Sequence, residues 1–216
     1  MKIVLGNKNY SSWSMRPWLV LQHFGIPCEE QVVPLDQPTS AADIARFSPS
    51  GRVPALLVGE LTVWDSLAIC EYLADKFPDK ALWPKDPAAR AVARSVSAEM
   101  HSGFAALRTH CPFKLKETFE PKPLLPEVQA DVDRIVALWS DCRRRYGQGG
   151  PFLFGAFSIA DAMYAPVVSR FRTYGVKPGG EAGTWMDAVW ALPEVQRWGE
   201  AARAESFHMK RYDPVP

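Results

Sequence analysis

At 216 residues, 47% hydrophobic and 23% charged, the chain has the make-up of a soluble globular protein of one or two domains with room for a substantial core. A net charge of +1 supplies no broad field, which argues against nucleic acid or an acidic membrane surface as partner. No run approaches the roughly 18–20 apolar residues of a membrane span, and the opening MKIVLG reads as strand at once, without the features of a secretory leader.

In chain order, residues 2–5 are a short apolar strand, followed by a polar loop over 6–12. Trp18, Leu19, Leu21 and Phe24 mark a helix that stops at Gly25-Ile26-Pro27. Residues 31–35 are a second strand and 41–47 a short helix, ended by Ser48-Pro49-Ser50-Gly51. A hairpin over 55–64, turned at Gly59-Glu60, and a helix over 66–76 follow. This β-α-β-α-β-β-α order predicts a small mixed sheet with helices on its faces. A Pro-rich stretch comes next, so the expected division is an α/β domain over 1–77, a stiff linker over 78–87 and an all-helical domain over 88–216. In the last part, helices are predicted over 88–109, 126–146, 159–174 and 193–204.

Four cysteines, at 28, 70, 111 and 142, are scattered and form no CxxC or metal-ligand spacing. Cys70 on an apolar helix face reads as a buried free thiol, and the expectation is a reduced, cytoplasmic protein without a metal. Arg143-Arg144-Arg145 falls in a last helical turn, where cations complement the dipole and face water, so it is not read as a nucleic-acid patch. No GxGxxG or GxxxxGK[ST] phosphate loop is present.

The segment 48–73 carries most of the chemistry. Pro54 lacks an N–H, so Val53-Pro54 belongs at a strand start or an edge, where Val53 could pair with an extended ligand backbone. Ser66 precedes the helically spaced Leu67, Ile69, Cys70 and Leu73, so it is expected to cap a helix whose first N–H groups attract an anion. Asp65 beside it offers a counter-charge for a cation. A ligand bearing an ammonium and a carboxylate on one carbon would satisfy both. A routine hairpin and capped helix would explain the same residues.

Four motifs in register make the chain resemble the cytosolic glutathione transferases, closest to zeta-like and bacterial serine-type members. They are Ser11-Ser12-Trp13-Ser14 with Arg16, Val53-Pro54, Asp65-Ser66 with Ile69 and Tyr72-Leu73, and Ser158-Ile159-Ala160-Asp161. The last is also a capping box, with Phe157 and Ala162 at staple positions, and its role is folding. The resemblance implies a thioredoxin-like N-terminal domain with a mixed four-stranded sheet and a C-terminal all-helical domain shaping an electrophile pocket. It implies glutathione as co-substrate, a cis bond at Val53-Pro54, and a homodimer with no nucleic-acid or membrane partner. Asp65 and Ser66 would hold the γ-glutamyl end and Val53 the cysteinyl backbone, with Gln37 or Arg52 as candidates for the glycyl carboxylate.

A free thiol with a pKa near ~8.5 is a few per cent thiolate at neutral pH, and lowering it by two units requires about 2.7 kcal/mol. A hydroxyl donating to the sulfur at the start of the first helix suits that task. The resemblance points to Ser11. Tyr10 and Ser12 are rivals, and Ser11 or Ser14 could merely cap the helix. The loop has no cysteine, which disfavours a mixed disulfide on the protein. Trp13 stands where the zeta isomerases of maleylacetoacetate carry a small cysteine, which argues against isomerisation. Asp65, where the family more often has Glu or Gln, shortens the reach to the ammonium. His101, Phe104 and Arg108, on neighbouring faces of the predicted 88–109 helix, are candidates for the electrophile site with Trp13. The leading expectation is glutathione conjugation to a small electrophile. Glutathione-dependent isomerisation or dehalogenation, and a non-catalytic binding module of the same fold, are the alternatives.

Overall fold

The computed structural model describes residues 1–209 and 212. Its first half is a four-stranded sheet in the order β2-β1-β3-β4, built from β1 (Lys2–Leu5), β2 (Glu29–Val32), β3 (Ala55–Val58) and β4 (Leu61–Trp64). Strand β1 runs parallel to β2 and antiparallel to β3, and β3–β4 is the antiparallel hairpin. Side chains alternate across the sheet. Ile3, Leu5 and Leu56 pack against α1 (Ser12–His23) and α3 (Ser66–Lys76), while Val4 and Ala55 face Val33 and Ile44 of the small α2 (Ser40–Ala45) side.

The second strand lies earlier than the predicted 31–35. Lys2 pairs with Glu29 in the ladder and binds its carboxylate at 2.9 Å, and Pro34, which has no N–H, ends the strand. Helix α2 likewise ends at Ala45 instead of residue 47.

After a 3-10 turn at Pro78–Lys80, the described residues are helical apart from loops: α4 (Pro87–Ser102), α5 (Ala105–His110), α6 (Pro126–Tyr146), α7 (Ile159–Thr173), α8 (Gly180–Trp190) and α9 (Pro193–Ala204). The predicted 88–109 helix is in fact two. Phe104 sits at φ 61°, ψ 45°, a left-handed conformation costly for an aromatic residue. Arg108 makes the break tenable: its Nε donates to Gly103 O at 3.0 Å and its Nη2 to Met100 O, so the guanidinium takes the carbonyls that α4 leaves without partners. Arg143 departs from its predicted solvated role. Its Nη1 donates to the carbonyls of Gly147, Gly150 and Phe152 and so clamps a loop, while Arg144 and Arg145 pair with Asp141.

Helix α7 is the axis of this half and is buried almost end to end, packing against α1, α4 and α8. The capping box forms at its start. Asp161 Oδ2 accepts from the Ser158 N–H and hydroxyl, while Oδ1 accepts from Leu153 N–H at 2.9 Å and Trp185 Nε1–H at 2.8 Å. Burial pushes this carboxyl up and the donors pull it back. One carboxylate thus joins the start of α7 to the preceding loop and to α8. Helix α1, lying between sheet and α7, is buried on both sides, and residues on it therefore reach both halves. Among the described residues no helix is long and apolar enough to cross a membrane, and no cluster of His, Cys, Asp and Glu could hold a metal ion.

Candidate active site

The site begins at the end of β3. The Val53-Pro54 bond is cis and the ladder's first paired residue on this strand is Ala55, so Val53 lies just beyond the sheet's own pairing. Strand β3 is internal, and the strand-start reading of Pro54 holds. At the end of β4 the chain turns through Asp65 at φ 76° into α3. The expected cap is corrected here: Asp65, not Ser66, is the N-cap. Its Oδ1 accepts from Leu67 N–H at 2.9 Å and Ala68 N–H at 3.3 Å. Ser66 is the first helical residue, and its buried Oγ has no hydrogen-bond partner. Asp65 Oδ2 stands 3.1 Å from Nε2 of His101 on α4.

Opposite lies the start of α1. Ser11 caps it, its Oγ accepting from Ser14 N–H at 3.3 Å and donating to Ser14 Oγ at 2.7 Å. Ser14 Oγ in turn accepts from Gly6 N–H at 3.0 Å. A Cβ at Gly6 would come within 2.7 Å of Leu35 Cδ1 and 3.1 Å of Ser11 Cβ, so any larger residue there would displace the Leu35 side chain. Ser12 Oγ accepts from Nη2 of Arg170 at 3.4 Å. Tyr10 lines the same cavity as Ser11 and Ser12; its ring stacks on Tyr212 at 5.6 Å and its hydroxyl lies 3.3 Å from His208 Nδ1.

Trp13 occupies the centre. The Arg16 guanidinium lies 4.3 Å from its ring centroid, the Arg108 guanidinium 4.8 Å, and the His101 ring meets it edge-on at 5.1 Å. Arg16 is wholly buried and none of its three nitrogens has a hydrogen-bond partner, so the indole face is the contact that answers its charge. Burial, then the charges of Arg108 and Arg170, hold its pKa well below the usual arginine value. His101 is also lowered, chiefly by burial and further by Arg16 and Arg108, with Asp65 opposing.

Two adjoining cavities, of about 490 and 540 Å³, share Trp13, Arg52 and Val53 and so form one trough. The first ends at Asp65, Ser66 and His101. The second contains Ser11 and Ser12 and ends at Arg108, Phe113, Arg170 and Tyr212. Among the residues singled out in sequence, two fall outside this trough. Gln37 turns back on its own loop, its Nε2 donating to Leu35 O at 3.3 Å. Phe104, at the break between α4 and α5, is packed in the core.

Two family models match the chain: the glutathione S-transferase N-terminal domain over residues 10–76 and the glutathione S-transferase C-terminal domain over residues 122–201. The chain belongs to the glutathione S-transferase family. It is 36% identical over 165 residues to "Glutathione S-transferase Z2" of Arabidopsis thaliana, covering 73% of this chain and 72% of that one. It is 35% identical over 96 residues, 44% of each chain, to "Probable maleylacetoacetate isomerase" of Caenorhabditis elegans. Among solved structures, a glutathione transferase homolog from Burkholderia, crystallised with bound glutathione, superposes with a TM-score of 0.70 at 24% identity, over 94% of this chain and 98% of that one.

The transferase fold expected from the motifs is therefore present, a thioredoxin-like sheet domain followed by an all-helical one. Sequence reasoning missed Arg170, Phe113 and Tyr212 as members of the trough. Arg170 had one usable signal, a cation just after the apolar run of residues 162–168 on α7, and Arg172 shares it.

Proposed function

We propose that this transferase binds glutathione along the trough, activates its thiol at the start of α1, and conjugates the thiolate to a small electrophile. The observation that carries the reading is the continuity of the trough from Asp65 and Ser66, past Val53, to Ser11. The unpartnered Ser66 hydroxyl, with the positive end of the α3 dipole behind it, suits the γ-glutamyl carboxylate. Asp65 Oδ2 suits the ammonium, which would share it with His101. Val53 offers its backbone to the cysteinyl unit. Arg52, lining both cavities, is a better placed donor to the glycyl carboxylate than Gln37.

Ser11 is the proposed activating hydroxyl. Ser11 donates to Ser14 in the unliganded site, and the relay requires both hydroxyls to rotate so that Ser14 donates to Ser11. With Ser14 donating to Ser11, the chain Gly6 N–H, Ser14 O–H, Ser11 O–H points its last proton at the sulfur, each bond polarising the next. The dipole of α1 adds to it. Trp13, His101 and Arg108 would line the electrophile's side. A homodimer is part of the proposal and rests on the family resemblance. The four free cysteines fit a reducing cytoplasm.

Calorimetric titration with glutathione tests the core of this reading. One site per subunit is expected, and no binding would defeat it. A second reading, glutathione-dependent isomerisation, is favoured by the 35% identity to a probable maleylacetoacetate isomerase and disfavoured by the bulk of Trp13. Turnover of maleylacetoacetate at a rate above that of conjugation would select it.

A further inference from the structure

Resting on the glutathione chemistry proposed above, we propose that Arg170, with Arg108 beside it, forms an anion site that holds a carboxylate carried by the electrophile. Arg170 is 5% exposed, yet it lines the 540 Å³ cavity. Two of its nitrogens are used: Nε donates to Cys111 O at 2.9 Å and Nη2 to Ser12 Oγ at 3.4 Å. The third, Nη1, is buried without a partner. Arg52 and Arg108 line the same cavity, and none of its described lining residues is Asp or Glu. The wholly buried Arg16 lies behind Trp13 and adds a further positive charge.

Among the described residues, the neighbouring carboxylates are committed elsewhere. Asp131, the acid that acts on Arg108, accepts from Leu107 N–H at 2.9 Å, and Asp65 caps α3 and meets His101 in the adjoining cavity. A buried guanidinium without a counter-charge is costly, and a charge-assisted bond to a carboxylate is the interaction that relieves it. Burial, and after it the charge of Arg108, brings the Arg170 pKa down to about 10, so it remains a cation at neutral pH. Phe113, 5.5 Å from the Arg170 guanidinium, and Trp13 give the cavity apolar walls for the body of the same molecule. Because Ser12 also touches Arg170, a carboxylate on Nη1 would sit beside the loop that holds the thiol.

A matched pair of probes tests this, 4-(chloromethyl)benzoate and 4-(chloromethyl)benzamide. In both, the glutathione thiolate attacks the benzylic carbon, the C–S bond forms as the C–Cl bond breaks, and chloride leaves, the thiol proton having passed to solvent. With glutathione saturating, kcat/KM for the benzoate should exceed that for the benzamide by at least about tenfold, or 1.4 kcal/mol, after correction for their uncatalysed rates. Arg170→Gln and, separately, Arg108→Gln should each shrink that ratio, while Arg170→Lys keeps part of it. Thermal unfolding of each variant confirms that it is folded.

Titration of the unreactive 4-methylbenzoate against 4-methylbenzamide gives a second readout that needs no turnover. Preference for the benzoate that is lost in Arg170→Gln supports the site, with or without glutathione present. Equal binding of the two probes by the native protein overturns it. So does an Arg170→Gln variant that weakens glutathione itself by the same factor, since the carboxylate held would then be glutathione's own. Failure of glutathione to bind defeats the proposed function instead, and benzoate selectivity in the glutathione-free protein still decides the Arg170 site.

Discussion

Replacing Ser11 by alanine separates two effects that the structure superimposes on one oxygen. The hydroxyl caps α1 through the Ser14 N–H, and it is also the proposed last member of a Gly6–Ser14–Ser11 relay. Loss of the cap should cost about 1 kcal/mol, which in a protein of this length lowers Tm by roughly 2–4 °C. Loss of a donor to a charged sulfur should cost about 1.5–3 kcal/mol of thiolate stabilisation, equivalent to a rise of about one to two units in the pKa of bound glutathione. The second effect is read by following thiolate ultraviolet absorbance against pH in the complex, the first by thermal unfolding without ligand. Ser11→Ala should move both. A variant that still binds glutathione, melts lower, and leaves the thiol pKa unchanged would show that Ser11 only caps the helix. If Ser12→Ala then raises the pKa, the hydroxyl backed by Arg170 is the donor. A rise confined to Tyr10→Phe would assign the role to the phenol.

Further outcomes follow from the same geometry. Asp161→Ala strips the partner from the Ser158, Leu153 and Trp185 donors and should cost on the order of 4 kcal/mol or more, the range of a broken buried network. A calorimetric Tm within 2 °C of the native value would contradict its role as the joint between α7, α8 and the loop. His101 has a folded pKa below the ordinary histidine value, so as pH falls the unfolded chain takes up the proton first. Its contribution is therefore complete above about pH 6.5 and declines as pH drops through the folded pKa. His101→Asn should flatten the acid side of the Tm profile, and unchanged slopes would refute the assignment. Trp13→Cys removes the ring that faces the Arg16 and Arg108 guanidiniums. It should lower Tm, and a gain in maleylacetoacetate turnover in that variant would identify the indole as the barrier to isomerisation. Light scattering should give twice the chain mass, and a mass of one chain would refute the homodimer.

How far the residues speak for themselves depends on the range of the forces involved. The β1 strand, the β3–β4 hairpin and helices α3, α6 and α9 lie where apolar spacing, prolines and caps put them, because those signals act within a few residues of the chain. The capping box at Ser158 and Asp161 is of the same kind, although nothing local foretold that Trp185 would donate to the same carboxylate. Helix α8 went unread. Its first residue is glycine, and the element is fixed by burying Ala182, Trp185 and Met186 against its neighbours.

The break between α4 and α5 shows the limit within a single segment. The expected unbroken helix overlooks Gly103, the C-cap of α4, and the Arg108 side chain, folding back onto the carbonyls of Met100 and Gly103, supports the left-handed Phe104 beyond it. The cap of α3 passed to Asp65 for a comparable reason, since the turn out of β4 sets its φ at 76° and aims its carboxylate at the helix N–H groups. In the trough the same division holds. Ser11, Val53, Asp65 and Ser66 are carried by motifs a few residues long. Arg170 reaches Ser12 across 158 positions, an arrangement that exists because α1 is buried against α7. Short-range hydrogen bonding determined the half of the site proposed for glutathione, and long-range packing decided the charge of the other half.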